Sequence, residues 1–295
     1  MHDAPVVSIA MPMRNAGLTL TAALASIRQQ QFETWELLIV DDGSTDASVE
    51  IARKFCDPRF IVMADRQHRG LAARLNQAVA VARGRYFARM DADDIAYPER
   101  LAKQLQFLEA HQSIDLLGAG MMVFGQDGAP LGRYPVQTTH EQICAQPYSG
   151  FHMAHPTWIG PIGWFRRWPY DANCAKAQDQ ELLLRAYRHS RFAALADILM
   201  GYRQERPTVR KSLVGRYYFS RAVLRDARRE HKLAMGAAAL TVQVAKGSAD
   251  VLAIATGLER FLLRHRALRF PPEEGARWRE VWSGLTDRRS AGCAP

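Results

Sequence analysis

The sequence predicts an α/β fold built on a mostly parallel sheet with helices on both faces. Three observations carry that expectation. Apolar, β-branched runs alternate four times with stripes at helical spacing. Acidic motifs close two of those runs, at the strand ends where open parallel sheets hold ligands. The chain has 295 residues, 48% of them hydrophobic, enough for one large core or for one large domain and a smaller one.

Each element can be justified in turn. "VVSIAM" is a first strand, and Leu20, Leu24 and Ile27 then recur at helical spacing. "ELLIV" is a second strand ending in "DDGSTD"; Val49, Ala52 and Phe55 mark the following helix, with Ser44 or Thr45 as its expected cap. "RFIVMA" is a third strand. Leu71, Leu75, Ala78 and Ala82 form the next stripe, with Gly84 expected to close it. "RYFARM" is the fourth strand and delivers "DADD", after which Pro98 opens a helix carrying Leu101, Leu105 and Leu108. Beyond Phe124 the regularity fades: "GQDGAP" is a turn, and residues 137–167 read as site-shaping loops. "QDQELLLRAY" resumes as a helix, "ALADILMGYR" is a last strand, and the chain beyond Pro207 is helical and basic.

The net charge is +9, and residues 203–269 hold fifteen Lys or Arg against five Asp or Glu. Anionic partners are expected at that segment. Cys56, Cys144, Cys174 and Cys293 are scattered without metal-ligand spacing, which fits a reducing, cytoplasmic setting better than a disulfide framework. The N-terminus lacks the pattern of a secretory signal. No membrane span is expected: "MGAAALTVQVAKGSADVLAIATGL" is broken by Lys246 and Asp250, short of the ~20 apolar residues a span needs.

Asp91 and Asp93 stand two apart, so an extended backbone puts them on one side. Two hard oxygen donors there suit Mg²⁺ or Mn²⁺ with phosphate oxygens. The plainer alternative is a solvated acidic turn capping the helix at Pro98. Placement after an apolar strand, matched by a second acidic strand end, favours the metal. Asp41 and Asp42 can accept from a ribose or a base N–H, or can serve the turn at Gly43 with Asp46 capping the helix beyond.

These segments also carry a resemblance. "VSIAMPMRNAGLTLTAALASIRQQQFETWELLIVDDGSTD", "RGLAARLNQAVAVARGRYFARMDADD", "HPTWIG" and "QDQELLLRAY" occur in the order seen in family 2 glycosyltransferases of the GT-A fold, and the chain resembles that family over its first two thirds. The resemblance implies a mixed, mostly parallel GT-A sheet flanked by helices over residues 1–208; the change of pattern near Arg206 to Arg210 sets off a basic C-terminal helical region over residues 209–295. By position it implies that Pro12 and Asn15 lie against the nucleotide base and that Asp42 contacts it, usually a uracil. It sets Gly70 where the backbone nears the nucleotide, followed by Arg74 and Asn76. It puts Asp91 near the ribose and donor sugar, Asp93 on a divalent metal (Mn²⁺ or Mg²⁺), and Asp179 as the catalytic base of an inverting transfer from a UDP-sugar. Where many relatives show a His after the Tyr-Arg pair, this chain has Gln204, Glu205 and Arg206.

Other residues admit two uses. Asp179 can be a base or a helix cap, and His155 beside Trp158 reads first as a packed loop residue, with His152 similar. Arg203, Arg206 or Arg210 can neutralise phosphate or sit on the surface. Trp278 and Trp282 read as core. Around Val251, Ile254 and Leu258, with Arg260, Arg264 and Arg266, the C-terminal helices can pack on the catalytic domain, form a homodimer contact, or touch the inner face of the cytoplasmic membrane beside a lipid-linked acceptor. A sugar nucleotidyltransferase would want a glycine-rich basic loop after the first strand, and "PMRNAGLTL" is a poor fit. A nucleic-acid-binding module would leave the acidic strand ends without a use, so no nucleic-acid partner is expected.

Overall fold

A computed structural model describes residues 4–55, 57–204, 208–258 and 268–286 of the chain. Strand β1 (Val7–Met13) lies between β2 (Trp35–Asp41) and β4 (Tyr86–Arg89), and β3 (Phe60–Met63) extends the sheet beyond β2, all in parallel. Helices α1 (Leu20–Arg28), α2 (Ser48–Lys54) and α3 (Leu71–Val81) make the crossovers. The strands bury both faces with period two. Ala10, Leu38, Val40 and Phe87 pack on the side of α3, while Ile9, Met11, Leu37, Ile39 and Ala88 pack on the side of α1 and of α4 (Arg100–Ala110).

Two expectations about helix ends shift. The N-cap of α2 is Ala47, where Ser44 or Thr45 was expected, and the Asp46 carboxylate accepts from the Ser48 N–H at 3.0 Å. Helix α3 ends at Ala82 in extended backbone. Gly84 serves a close approach instead, since a Cβ there would lie 2.5 Å from the Ser8 nitrogen.

The second half of the sheet is mixed. Past β5 (Ile95–Ala96), the chain forms β6 (Leu116–Phe124), β7 (Pro130–Arg133), β8 (Ile159–Pro161) and β9 (Phe192–Arg203). The order is β3-β2-β1-β4-β8-β6-β9-β5, with β7 on β6. Strand β8 is antiparallel to β4 and β6, whereas β9 runs parallel to β6. The segment read as loops also holds the short helices α5 (His140–Ile143) and α6 (Ile162–Arg167), followed by α7 (Gln178–Ala186).

The C-terminal helices cover this body. Helix α8 (Val209–Arg229) adds Phe219, Ala222, Val223 and Ala227 to the core on the α3 side, and Thr208 caps it by accepting from the Lys211 N–H at 3.2 Å. Helix α9 (Leu233–Ala255) packs along α8. By sequence this stretch is too interrupted to span a membrane; as folded, it is long and apolar enough to do so by length and composition, and little of it is buried. Arg260, Arg264 and Arg266 lie outside the described residues. Helix α10 (Pro272–Thr286) returns to the sheet and buries Trp278 against Ile95, Tyr97 and Phe124, so the core reading of Trp278 holds. Its indole N–H donates to the Gly128 carbonyl at 2.7 Å.

A Cβ at Gly201 would lie 2.2 Å from the Trp278 ring. Gly201→Ala is therefore predicted to cost about 1–3 kcal/mol by overpacking, and Trp278→Ala about 3–5 kcal/mol by emptying the site. Both should lower the urea midpoint, and an unchanged midpoint for Gly201→Ala would contradict this packing.

Candidate active site

The carboxyl ends of β1, β2 and β4 meet along one edge. Pro12 is buried in β1 beyond the last residue paired to β4, so its missing N–H costs no ladder bond on that side. Asn15, at a φ of 50°, joins β1 to the loop after β2: its N–H donates to Ser44 Oγ at 3.0 Å, and its side-chain oxygen accepts from the Thr45 N–H at 2.8 Å. Asp41 accepts from the Gly43 and Ser44 N–H groups and closes the turn.

Asp42 is a hub. Its carboxylate accepts from the Arg69 N–H at 2.7 Å, the Gly70 N–H at 3.0 Å and Arg74 Nε at 3.1 Å, and pairs with His68 Nδ1 at 2.7 Å. Burial alone would push this carboxyl up, but those donors outweigh it and hold it below the ordinary carboxylate range. Arg74 is buried and also bonds Asp65 and Gln77. Gly70 begins α3 at a φ of 85°, with open space where a Cβ would project. Asn76 exchanges two hydrogen bonds with the backbone of Tyr170 and fixes the loop before α7.

At the end of β4 the side-chain oxygens of Asp91, Asp93 and Asp94 lie within 4.8 Å of one another. Arg89 pairs with Asp91. Asp94 is fully buried; its Oδ1 accepts from the Arg203 N–H at 3.0 Å, while Oδ2 has no partner among the described residues. Burial, reinforced by the charges of Asp91 and Asp93, pushes the Asp94 carboxyl well up. An orphaned buried oxygen beside two further carboxylates is a hard-oxygen set that fits a divalent cation. Asp94 was not singled out as a ligand in the sequence, because D-x-D spacing points only to Asp91 and Asp93. Arg89 was missed too: its Nε and Nη1 are buried without partners among the described residues, and it lines the cavity described next.

Asp91 and Asp179 line one cavity of about 990 Å³, which runs on to Arg216, Lys246 and Asp250 of the α8–α9 pair. Asp179 sits in the first turn of α7, but the cap position is Ala177 in left-handed backbone, so the Asp179 carboxylate is not spent as a cap. Gln180 holds the cavity wall by accepting from the Phe151 N–H at 2.7 Å and donating to its carbonyl at 3.2 Å. Glu181 is buried and paired with Arg185 at 2.8 Å. Arg203 is not a surface cation: its guanidinium bonds the Asp93 carbonyl through Nε at 3.0 Å and lies over the Phe124 ring. Arg210 is exposed on α8, and Glu205 and Arg206 lie outside the described residues.

His155 packs edge-on against Trp158 and bonds the Tyr170 hydroxyl through Nε2 at 2.8 Å, as the packed reading expects. Burial, aided by the Arg89 charge, holds its pKa well below the ordinary value. The unfolded chain therefore takes up a proton that the folded chain refuses, and stability falls as pH drops below the unfolded value of about 6.5. His155→Gln should remove a slope of up to about 1.4 kcal/mol per pH unit between about pH 6.5 and 5. Urea unfolding of parent and variant across that window checks it, and parallel pH profiles would contradict it.

Comparison with known proteins places this geometry. Residues 8–166 match the model of glycosyl transferase family 2. EpsE of Bacillus subtilis is 38% identical over 131 residues, covering 43% of this chain and 47% of its own. The UDP-Glc:alpha-D-GlcNAc-diphosphoundecaprenol beta-1,3-glucosyltransferase WfgD of Escherichia coli is 35% identical over 106 residues, covering 36% of this chain and 42% of its own. The match thus spans less than half the length of either relative. The structure of S. aureus TarS 1-349 in complex with UDP-GlcNAc superposes with a TM-score of 0.61 at 20% identity, covering 95% of this chain and 80% of that one. The sheet is that of the GT-A fold, and the chain belongs to glycosyl transferase family 2.

Proposed function

We propose that the protein is an inverting glycosyltransferase. It would move a sugar from a nucleotide-sugar donor, a UDP-sugar by preference, to a hydroxyl of a glycan or lipid-linked oligosaccharide in bacterial surface polysaccharide synthesis. The observation that carries the reading is the shared cavity: Asp179 opens into the same space as Asp91, beside the three-carboxylate cluster. Support for the donor and acceptor classes comes from TarS, solved with UDP-GlcNAc, and from WfgD, whose name specifies a UDP-sugar and a diphosphoundecaprenol-linked acceptor.

Each residue has a task in this reading. Pro12, Asn15 and Asp42 shape the base site, with Arg74 and the open backbone at Gly70 bordering the nucleotide. Asp91 meets the ribose and donor sugar. Asp93, with Asp91 and Asp94, would hold Mn²⁺ or Mg²⁺. When bound, that cation would supply Lewis-acid stabilisation of charge on the leaving diphosphate. Asp179 accepts the proton of the acceptor hydroxyl as its oxygen bonds to the anomeric carbon and the bond to the nucleoside diphosphate breaks. Attack from the face opposite the leaving group inverts the anomeric configuration. General-base help of this kind is worth about 10²–10⁴-fold in rate. A lipid-linked acceptor would bring the cytoplasmic enzyme to the inner face of the membrane.

Mn²⁺-dependent thermal stabilisation across a panel of nucleotide sugars tests donor binding. Asp93→Asn should abolish the metal-dependent part of the shift. Asp179→Asn should keep the shift and lose about 10²–10⁴-fold in transfer; transfer near the parent rate would overturn the base assignment.

A further inference from the structure

Helix α9 is built inside out. Its buried residues are Gly236, Gln243, Gly247 and Asp250, and the two polar ones turn inward onto Arg216 of α8. Gln243 Oε1 accepts from Arg216 Nη1 at 2.9 Å, and Asp250 Oδ2 accepts from Nη2 at 2.6 Å. The apolar side chains face outward, with Leu233 61%, Val244 69% and Leu252 66% exposed. A helix that is apolar nearly all round and left uncovered is unfavourable in water and marks a contact surface. On α8, Leu213 and Tyr217 are exposed as well.

Charge indicates what covers it. A groove between α8 and α9 is lined by Arg221, Arg225, Arg228 and Arg229 together with Tyr217 and Leu240. Arg225 pairs with Asp171 at 3.2 Å, whereas Arg221, Arg228 and Arg229 have no ion-pair partner among the described residues. Unpaired arginines beside exposed apolar side chains match a surface that offers phosphates above hydrocarbon.

We propose that the α8–α9 hairpin docks on an anionic phospholipid bilayer, with the outward apolar side chains of α9 entering the headgroup–acyl boundary and the groove arginines meeting lipid phosphates. The cavity that holds Asp179 also reaches Lys246 and Ala249 of α9, and Val242, exposed, stands one turn from Lys246. Val242 lies about 200° around the helix from Val244, so docking sets the cavity at the flank of the bilayer-facing surface, within reach of a lipid-linked sugar whose hydroxyl stands above the headgroups. This deepens the proposed transfer and rests on it for the identity of the acceptor; the docking itself does not depend on it.

Flotation of the full chain with vesicles tests the surface. The chain should rise with phosphatidylcholine vesicles containing about one third phosphatidylglycerol and stay at the bottom with phosphatidylcholine alone. Two double variants of exposed residues, Val244→Glu with Leu252→Glu and Arg228→Glu with Arg229→Glu, should each lower the bound fraction about tenfold or more, while a cooperative urea transition like the parent's shows that each is folded. Failure of the parent to float with anionic vesicles, equal flotation with neutral ones, or undiminished binding by both variants would overturn the proposal. So would a parent dimer that the Val244→Glu, Leu252→Glu variant dissociates and that does not float, since a second copy would then cover the helix. Loss of Mn²⁺–UDP-sugar stabilisation with flotation intact would count against the transfer reading alone.

Discussion

Repulsion among Asp91, Asp93 and Asp94 is the constraint around which the rest of the molecule is arranged. Three carboxylates within 4.8 Å cannot all be charged and desolvated without compensation. The protein compensates in part. Arg89 answers Asp91, and Arg203 lends its N–H to Asp94 and its Nε to the Asp93 carbonyl. Those contacts set the end of β9 beside the turn after β4. Arg203 in turn lies over the adjoining rings of Phe124 and Trp282, so α10, which looks remote in sequence, braces the acidic turn. The second oxygen of Asp94 remains unanswered among the described residues, and that is where a cation fits.

The other acidic strand end shows the opposite solution. Asp42 is buried too, but four protein donors converge on it and its carboxyl is held low, whereas Asp94 is pushed high. The same residue type at two strand ends on either side of β1 thus has two electrostatic fates. Asp42 is satisfied by the chain and fixes the Gly70 loop, whereas one oxygen of Asp94 has no partner among the described residues. Between them the edge offers an ordered loop on one side and an unpartnered carboxyl oxygen on the other, with Asp179 lining the same cavity as Asp91.

How much of this was legible depended on the range of the interactions. Strands β1 to β4 were legible because each is a short apolar run followed by a helical stripe. The nine-residue β6 was not, because Gly118 and Gly120 interrupt its apolar run where Thr157, Met153 and the Asp197 carbonyl press close. Strands β5 and β8, of two and three residues, are set by their neighbours and carry no periodicity of their own. In the site, Asp91, Asp93 and Asp179 stood out by motif and strand position. Asp94, the unpartnered edge of Arg89 and the Gln180 clasp on Phe151 did not, since each is defined by contacts across 29 to 109 positions of chain or by a missing partner. Lys246 and Asp250 interrupted the apolar run and argued against a span. Asp250 is now seen turned inward to Arg216, leaving the apolar side chains of α9 outside.

In the proposed enzyme a divalent cation held with a nucleoside diphosphate completes the acidic turn. Electron paramagnetic resonance of Mn²⁺ titrated into the protein with UDP tests it most directly. The free-ion signal should disappear up to about one Mn²⁺ per chain, and Asp93→Asn and Asp94→Asn should each restore it. A free-ion signal undiminished by the parent protein with UDP, or equally quenched by both variants, would contradict it.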